Sequence, residues 1–188
     1  MAARPTNAGD LMKTTDGGRT WHRAGSPCRK GWGGFAWTAS IWFTSADRGW
    51  VLCKGQPGLG QQSKALYLTR DGGATWKRLL NVFFEPAKRR LGGLAGSGYP
   101  LGMSFTPRGA GLLWSSRGYS FRTRDGGRNW RPIRTTDPEV REGTSGWLVS
   151  ERLGYLLLRD NDARRRWQLL RSEDGGRTWR RVHSWPLR

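Results

Sequence analysis

The sequence lacks the long apolar runs of membrane-spanning segments. No stretch approaches the roughly 20 apolar residues that cross a bilayer, and the N-terminus has no apolar segment of the signal-peptide type. Apolar positions also lack the i, i+3, i+4, i+7 spacing of amphipathic helices over convincing lengths. We therefore expect no transmembrane segment and no long helices.

Cysteine and histidine are nearly absent, which argues against metal chemistry. The two cysteines, Cys28 and Cys53, do not form a CxxC pair, and His22 and His183 stand alone. A zinc site needs several such ligands close together, so we expect no metal and no cofactor. A disulfide between Cys28 and Cys53 fits an oxidising compartment, and two free buried thiols fit the sequence equally well.

Acidic residues are few beside basic ones. The chain has 33 lysines and arginines against 14 aspartates and glutamates, which gives a formal net charge of +19. Such a charge attracts phosphate and other anionic surfaces. Arginine outnumbers lysine 27 to 6, however, a skew that a GC-rich coding sequence produces without selection for a partner. The arginines are scattered through every segment, and this scatter favours the compositional explanation.

Glycine and tryptophan are abundant, with 28 and 12 copies. This composition indicates many short strands joined by tight turns, with aromatic rings filling the core. One eight-residue pattern also occurs four times, and its aspartates are spaced by 55, 54 and 49 residues. A repeat of that length indicates an array of similar units, such as blades. We number these segments motif 1 to motif 4: residues 14–21, 69–76, 123–130 and 172–179.

Each motif is predicted to form the turn of a β-hairpin. A β-rich segment precedes Asp-Gly-Gly, a short strand is expected to start at the tryptophan, and glycine adopts the positive φ of a tight turn. The aspartate can accept hydrogen bonds from turn amides, and the tryptophan can cover the hairpin. The residues assigned this structural role are Asp16, Gly18 and Trp21; Asp71, Gly73 and Trp76; Asp125, Gly127 and Trp130; and Asp174, Gly176 and Trp179.

A catalytic or calcium-binding role for the four aspartates is less well supported. Paired catalytic carboxylates lie about 5 to 9.5 Å apart in glycosidases, whereas these aspartates are separated by a whole repeat. A calcium loop needs several oxygen ligands close together, and each turn brings one carboxylate, with Glu173 an additional one only in motif 4. We therefore interpret the aspartates as structural.

A second apolar hairpin precedes each of the last three motifs, so each complete unit has four strands. The repeating unit is then a small antiparallel sheet. The predicted limits are a partial blade at residues 1–25 and complete blades at 38–80, 101–134 and 145–183.

The pattern S/T-x-D-x-G-x-x-W resembles the Asp-box, or BNR, repeat of sialidase-type β-propellers. Together with Gly-Trp-Val-Leu at residues 49–52, it is similar in particular to the photosystem II assembly factor type of propeller. The resemblance covers the chain from about residue 10 to its end. It implies an all-β fold, a β-propeller of four-stranded antiparallel blades with about three and a half blades present. The same repeat occurs in sialidases, other glycosidases, sorting receptors and non-enzymatic scaffolds.

The predicted array is an open arc. Only about 15 residues precede the first motif, enough for one strand of the partial blade. Open sheet edges are rarely tolerated, so we expect either the C-terminal part of a larger propeller of about six to eight blades or self-association of two copies that closes the ring. In the first case an upstream export signal would place the protein outside the cell or in its envelope, and otherwise it would be cytoplasmic.

The long irregular segments are expected on the face opposite the motifs, where binding residues are commonly carried. They are residues 27–37, 54–64, 80–100, 134–145 and 159–166. Basic groups beside aromatic rings on this face predict binding of an acidic glycan or a protein, with a nucleic acid less favoured. The predicted binding residues are Arg29, Lys30, Trp32, Trp37, Arg89, Arg90, Arg164, Arg165 and Arg166.

No catalytic residue is predicted. The chain has no Phe-Arg-Ile-Pro segment of the sialidase type, and neither histidine lies in a recognisable Ser-His-Asp setting. The sequence therefore favours a non-catalytic binding or assembly scaffold. The alternatives are a C-terminal fragment of a sialidase-like or other glycoside hydrolase, and an anion- or nucleic-acid-binding module.

Overall fold

The computed structural model describes residues 2–5, 10–30, 37–82, 93–116, 119–133, 140–160 and 166–186. These ranges contain fifteen strands in four sheets and a short 3₁₀ helix, Pro27–Lys30. Sheet 1 holds β1 (Ala2–Pro5), β2 (Leu11–Thr14) and β3 (His22–Ala24). Sheet 2 holds β4 (Trp37–Phe43), β5 (Gly49–Gly58), β6 (Gln61–Thr69) and β7 (Lys77–Val82). Sheet 3 holds β8 (Pro100–Phe105), β9 (Gly111–Ser115), β10 (Ser120–Thr123) and β11 (Arg131–Pro132). Sheet 4 holds β12 (Val140–Leu148), β13 (Gly154–Asp160), β14 (Arg166–Ser172) and β15 (Arg180–Pro186).

Each sheet is an antiparallel meander in which strands adjacent in sequence are paired. The sheets pack in chain order, because β1 contacts β4, β4 contacts β8, and β8 contacts β12. The predicted all-β architecture of four-stranded antiparallel sheets, with one sheet incomplete, is confirmed. Sheet 1 differs in one detail: two strands precede motif 1 where one was expected, because β1 and β2 are only four residues long each.

The core consists of apolar layers between neighbouring sheets. Between sheets 2 and 3 the fully buried Trp50 ring stacks on Phe105 with centroids 4.1 Å apart, and Leu52, Leu66 and Met103 complete this layer. The layer between sheets 3 and 4 is formed by Leu112, Trp114, Leu156, Leu158, Leu170 and Trp179. Burial of such side chains is the main stabilising contribution to an array of small sheets.

Glycines on the first strands make room for these large side chains. A Cβ at Gly102 would lie 2.3 Å from the Trp114 ring, and one at Gly146 would lie 2.6 Å from Leu156. Neither distance is tolerated by real contacts, so the close approach of β8 and β12 to the neighbouring residues requires glycine. From the sequence, the glycines are expected only in turns; their role in making room for large side chains is seen only in the packing of the sheets.

Two segments expected as loops contain strands. Residues 54–64 form a hairpin, since β5 runs to Gly58 and β6 begins at Gln61. The turn is Leu59-Gly60, with φ of 47° and 76°, and a leucine in this left-handed region is rare. Pro57-Gly58 and Gly60 are turn signals in the sequence, and they predict a loop for the whole segment. Similarly, β12 begins at Val140, inside the expected loop at 134–145.

A disulfide joins Cys28 in the 3₁₀ helix to Cys53 in β5, at a sequence separation of 25. Both cysteines are buried, and the Thr38 hydroxyl donates to the Cys28 sulfur at 3.3 Å. The bond fastens the connection between sheets 1 and 2 to sheet 2. Of the two alternatives left open by the sequence, the structure therefore contains the bridged one.

Candidate functional site

Motif 1 shows how the local sequence builds the repeated turn. Gly17 and Gly18 have φ of 77° and 95°, which other residues rarely adopt. The Thr14 hydroxyl accepts a hydrogen bond from the Gly18 amide at 3.0 Å and donates one to Asp16 Oδ1 at 2.6 Å. Asp16 in turn accepts from the Thr20 amide at 2.9 Å and the Thr20 hydroxyl at 2.6 Å. The carboxylate thus joins the two sides of the turn.

The other three motifs repeat this pattern. Asp71, Asp125 and Asp174 each accept from the hydroxyl two residues earlier and from the amide four residues later. In motif 3, Asn129 replaces the threonine, and its Nδ2 donates to Asp125 Oδ2 at 2.8 Å. Each carboxylate is therefore engaged by residues of its own motif.

The motif tryptophan folds back over the turn. The Nε1 of Trp21, Trp130 and Trp179 donates to the carbonyl oxygen of the second glycine at 3.0 to 3.1 Å. In motif 2 the buried Nε1 of Trp76 has no hydrogen-bond partner among the described residues. Because the indole caps the turn, the following strand begins one residue after the tryptophan, and the expectation that it starts at the tryptophan is wrong.

The motif turns and the first hairpin turns of sheets 2 to 4 form one surface, which we call the motif face. The Gly72 amide donates to the Asp47 carbonyl at 2.9 Å, and the Gly126 amide donates to the Gly109 carbonyl at 2.9 Å. The Gly175 amide repeats this contact with Arg152 at 2.8 Å. The strands that end at these turns begin at the opposite face.

The binding residues predicted from the sequence are only partly described. Trp37 begins β4 and Arg166 begins β14, so both lie at the face opposite the motifs, and both are exposed. Arg29 and Lys30 belong to the 3₁₀ helix, but their side chains are not described. The remaining predicted residues, Trp32, Arg89, Arg90, Arg164 and Arg165, lie outside the described residues.

Four described arginines lie together on the motif face, between sheets 3 and 4. Arg122 on β10 is the cross-strand neighbour of Arg131 on β11, Arg124 belongs to motif 3 and Arg177 to motif 4. These four side chains line a cleft of about 420 Å³. We call it the Arg122 cleft; its other lining residues are Thr123, Asp125 and Asn129.

Among the described residues, no carboxylate forms an ion pair with the arginines of this cleft. Burial, followed by the nearby charges of Arg124, Arg177 and Arg131, lowers the pKa of Arg122, and Asp174 opposes the effect. Arg124 Nη2 donates to the Asp174 carbonyl oxygen at 3.1 Å, a main-chain acceptor. Within the described part of the chain none of the four forms an ion pair. The cleft therefore carries uncompensated positive charge.

A second group of arginines lies between sheets 2 and 3. Arg48 Nη1 donates to the Pro107 carbonyl at 2.7 Å, and its guanidinium lies 5.0 Å from the Trp50 ring centroid. Burial and the charges of Arg70 and Arg128 lower the pKa of Arg48. We call these three residues the Arg48 cluster. Arg70 and Arg124 occupy the same motif position, and so do Arg128 and Arg177. This recurrence was a signal in the sequence for arginines on the motif face.

Comparison with solved structures reveals the same architecture in other chains. The family 117 glycoside hydrolase Zg3597 of Zobellia galactanivorans is 13% identical over 98% of this chain and 58% of its own, with a TM-score of 0.56. The GH74 enzyme of Niastella koreensis is 16% identical over 95% of this chain and 27% of its own, with a TM-score of 0.58.

The fold is a β-propeller. A chain described as YCF48 bound to D1 peptide is 18% identical over 93% of the propeller and 76% of its own length, with a TM-score of 0.44. No protein-family model and no curated protein sequence matches the propeller. At such identities the likeness extends to the fold alone, and the propeller spans little more than half of the glycoside hydrolase from Zobellia and about a quarter of that from Niastella.

The described residues of the propeller assemble no metal-ligand set. No three histidine, cysteine, aspartate or glutamate side chains come together there. The same residues include no helix with the length and apolar character needed to cross a bilayer.

One buried cation of the propeller was missed by the sequence analysis. Lys64 on β6 is fully buried, and its Nζ donates to the carbonyl oxygens of Gln62, Ala95, Gly96, Ser97 and Gly98 at 2.8 to 3.2 Å. Burial lowers the pKa of Lys64 to about 7. The available signal was that Lys64 directly precedes the apolar run at residues 65–68. A lysine in such a strand needs hydrogen-bond partners, because lysine is rarely buried without them.

Replacing Asp125 with alanine tests the structural assignment of the motif aspartates. The variant should lower the free energy of unfolding by about 1 kcal/mol, because the Arg128 and Asn129 amides and the Thr123 hydroxyl lose their acceptor. The loss is limited because the two amides are exposed and can bond to water instead. Urea denaturation followed by circular dichroism measures the change. Unchanged stability together with lost ligand binding would contradict the assignment.

Acid should destabilise the propeller through the motif aspartates. Hydrogen bonds from the Thr75 side chain and amide and from Thr69 lower the pKa of Asp71 to about 2, and those from Thr14 and Thr20 hold the pKa of Asp16 well below its usual range. In the unfolded chain these aspartates are protonated near pH 4, whereas in the folded chain they stay ionised to lower pH. The stability that they contribute above pH 4 is therefore lost as the pH falls towards about 2. Urea midpoints across this window should fall less steeply for Asp71→Asn than for the wild type.

Proposed function

We propose that this propeller is a non-catalytic scaffold that binds an acidic partner on its motif face. The observation that carries the proposal is the Arg122 cleft, where four guanidinium groups converge without a carboxylate partner among the described residues. Cations are normally paired when they are crowded together, because like charges repel at short range. An unpaired cluster on a rigid turn surface is a favourable place for an anionic partner.

The state of the acidic side chains supports a role without catalysis. The four motif carboxylates accept hydrogen bonds from their own turns. Among the remaining acids whose side chains are described, Asp10 pairs with Arg23, Glu173 pairs with Arg171, and Glu151 accepts a hydrogen bond from Thr106. Within this set only Asp47, which is exposed, has no such contact. A glycosidase mechanism needs two free carboxylates on either side of a substrate bond. We accordingly assign the motifs to the Asp-box type and give their aspartates a structural role.

The partner that fits this surface is an acidic protein or an acidic glycan. The Arg48 cluster extends the basic surface to the neighbouring junction between sheets, since motif 3 contributes Arg124 to the Arg122 cleft and Arg128 to the Arg48 cluster. A partner with several negative groups can therefore contact both junctions. The expected contribution of such complementarity is to association rate and specificity as well as to affinity.

Binding to acidic polymers tests the proposal. The purified chain should bind poly-glutamate or heparin. The variant Arg131→Gln/Arg177→Gln should bind these polymers about tenfold more weakly, because it loses about 1.4 kcal/mol of charge-assisted contacts. The matched control, Arg78→Gln/Arg159→Gln, removes the same charge from exposed residues outside both clusters. Equal losses in the two variants would show that only net charge matters.

The absence of catalysis has its own test. A panel of fluorogenic glycosides, including sialosides, should give no turnover with the purified chain. Turnover that is abolished by replacing an acidic residue would favour the glycoside hydrolase alternative and contradict the scaffold.

A further inference from the structure

We infer that the Arg122 cleft is a site for a doubly charged tetrahedral oxyanion, the chemistry of phosphate and sulfate, in preference to a carboxylate. This inference rests on the proposed function, because it names the group that the motif face recognises. It adds a ligand class to a surface for which the fold alone specifies none.

The number and placement of donors favour a ligand with more than two oxygens. Arg122 and Arg131 approach from neighbouring strands, Arg124 from motif 3 and Arg177 from the adjacent sheet. Each guanidinium presents a planar fork of N–H groups that matches two oxygens of phosphate or sulfate. A carboxylate has only two oxygens and can satisfy one such fork, whereas a tetrahedral oxyanion offers four oxygens to the arginines of the cleft.

The charge balance points to a dianion. The cleft is lined by four arginines and one aspartate. Asp174 also lies close enough to raise the pKa of Arg122, so even with both aspartates counted the local balance is 4 − 2 = +2. A single carboxylate would leave part of this charge uncompensated, whereas a phosphate or sulfate dianion neutralises it.

Part of the cleft is organised before any ligand arrives. The Asp174 carbonyl oxygen holds Arg124, and Gly176, with φ of 78°, lies against Arg122: a Cβ at this position would be 3.6 Å from Arg122 Cδ. The side chains of Thr123 and Asn129 are both occupied by Asp125, so they leave recognition to the arginines. Binding therefore requires little ordering of Arg124, which reduces the entropic cost of that contact.

The lining also argues against recognition of nucleic-acid bases. The described residues that line the cleft include no aromatic side chain, whereas proteins that bind single strands stack bases on aromatic rings. The volume of about 420 Å³ is large enough for a phosphate ester or pyrophosphate as well as for a single inorganic ion. The recognised chemistry is thus the oxyanion itself, free or carried on a larger molecule.

Thermal unfolding and calorimetric titration with inorganic phosphate, sulfate and pyrophosphate test the inference. At constant ionic strength these anions should raise the Tm of the wild type and bind with measurable heat, whereas acetate should do neither. Sulfate and phosphate also stabilise folded proteins by exclusion from their surfaces, so the variants decide the result. Arg131→Gln/Arg177→Gln, which changes two exposed arginines, should retain only that general effect, and Arg78→Gln/Arg159→Gln should respond as the wild type does.

Two results would overturn the inference. One is an equal response to acetate and sulfate, and the other is an unchanged response in Arg131→Gln/Arg177→Gln. If poly-glutamate still binds in a manner that depends on Arg131 and Arg177 while no oxyanion does, the inference fails and the proposed function stands. If neither binds, both fail.

Competition distinguishes the sources of the oxyanion. Heparin and inorganic polyphosphate should displace bound pyrophosphate, whereas single-stranded DNA should compete only as strongly as its phosphate charge predicts and show no base preference. A clear preference of the DNA arm for particular bases would contradict oxyanion recognition at this cleft.

Discussion

Replacing Trp50 with alanine should lower the free energy of unfolding by about 4 kcal/mol, the largest effect expected of a single substitution in the core. Trp50 is fully buried between sheets 2 and 3, where its ring stacks on Phe105. Its Nε1 donates to the Gly126 carbonyl at 2.9 Å, which joins sheet 2 to motif 3. Alanine would remove the stacking, create a cavity and leave this buried carbonyl without its donor. Urea denaturation followed by circular dichroism measures the loss.

Trp50→Phe separates these contributions. Phenylalanine keeps an aromatic ring against Phe105 but loses the hydrogen bond to Gly126, so the expected cost is about 1 to 2 kcal/mol. A similar cost for the two variants would show that the hydrogen bond dominates. A cost below about 1 kcal/mol for alanine would mean that the packing between sheets 2 and 3 is not as described.

Loss of the Cys28–Cys53 disulfide should lower the free energy of unfolding by about 3 kcal/mol. The bond closes a loop across 25 residues of separation, and cross-linking restricts the unfolded chain by an amount that grows with loop length. The variant Cys28→Ala/Cys53→Ala removes the bond without introducing a buried hydroxyl. Its midpoint in urea should fall well below that of the oxidised wild type.

A reductant provides the matched control for the disulfide. Reduction should destabilise the wild type to nearly the level of the double variant and should leave the variant unchanged. Two titratable thiols in the unfolded, unreduced wild type, together with no effect of the reductant, would show that the bond does not form.

The fold could be predicted because its information is local and repeated. Asp71 and the residues on either side of it form a complete hairpin turn within eight residues, and four copies of that turn define the order of the sheets. The hairpin at residues 54–64 was expected as a loop because its proline and glycines are typical of turns, and its polar residues show no strand pattern. The extra strand in sheet 1 was missed because strands of four residues leave little pattern.

The Arg122 cleft could not be predicted in the same way. Arg124 and Arg177 come from motifs about fifty residues apart, and only the packing of sheet 3 on sheet 4 brings them together. In the sequence alone these arginines are scattered, which favours a compositional explanation, and the binding site expected on the long segments stays a prediction. Of the residues predicted there, Trp37 and Arg166 lie at the opposite face from the cleft.

The Lys64 ammonium occupies a ring of carbonyl oxygens of the kind that elsewhere receives a dissolved cation. Because the ammonium group is part of a side chain, neither a chelator nor a low salt concentration can remove it from these oxygens. Because burial lowers the pKa of Lys64 to about 7, the charge of this contact between β6 and residues 95–98 changes with pH near neutrality.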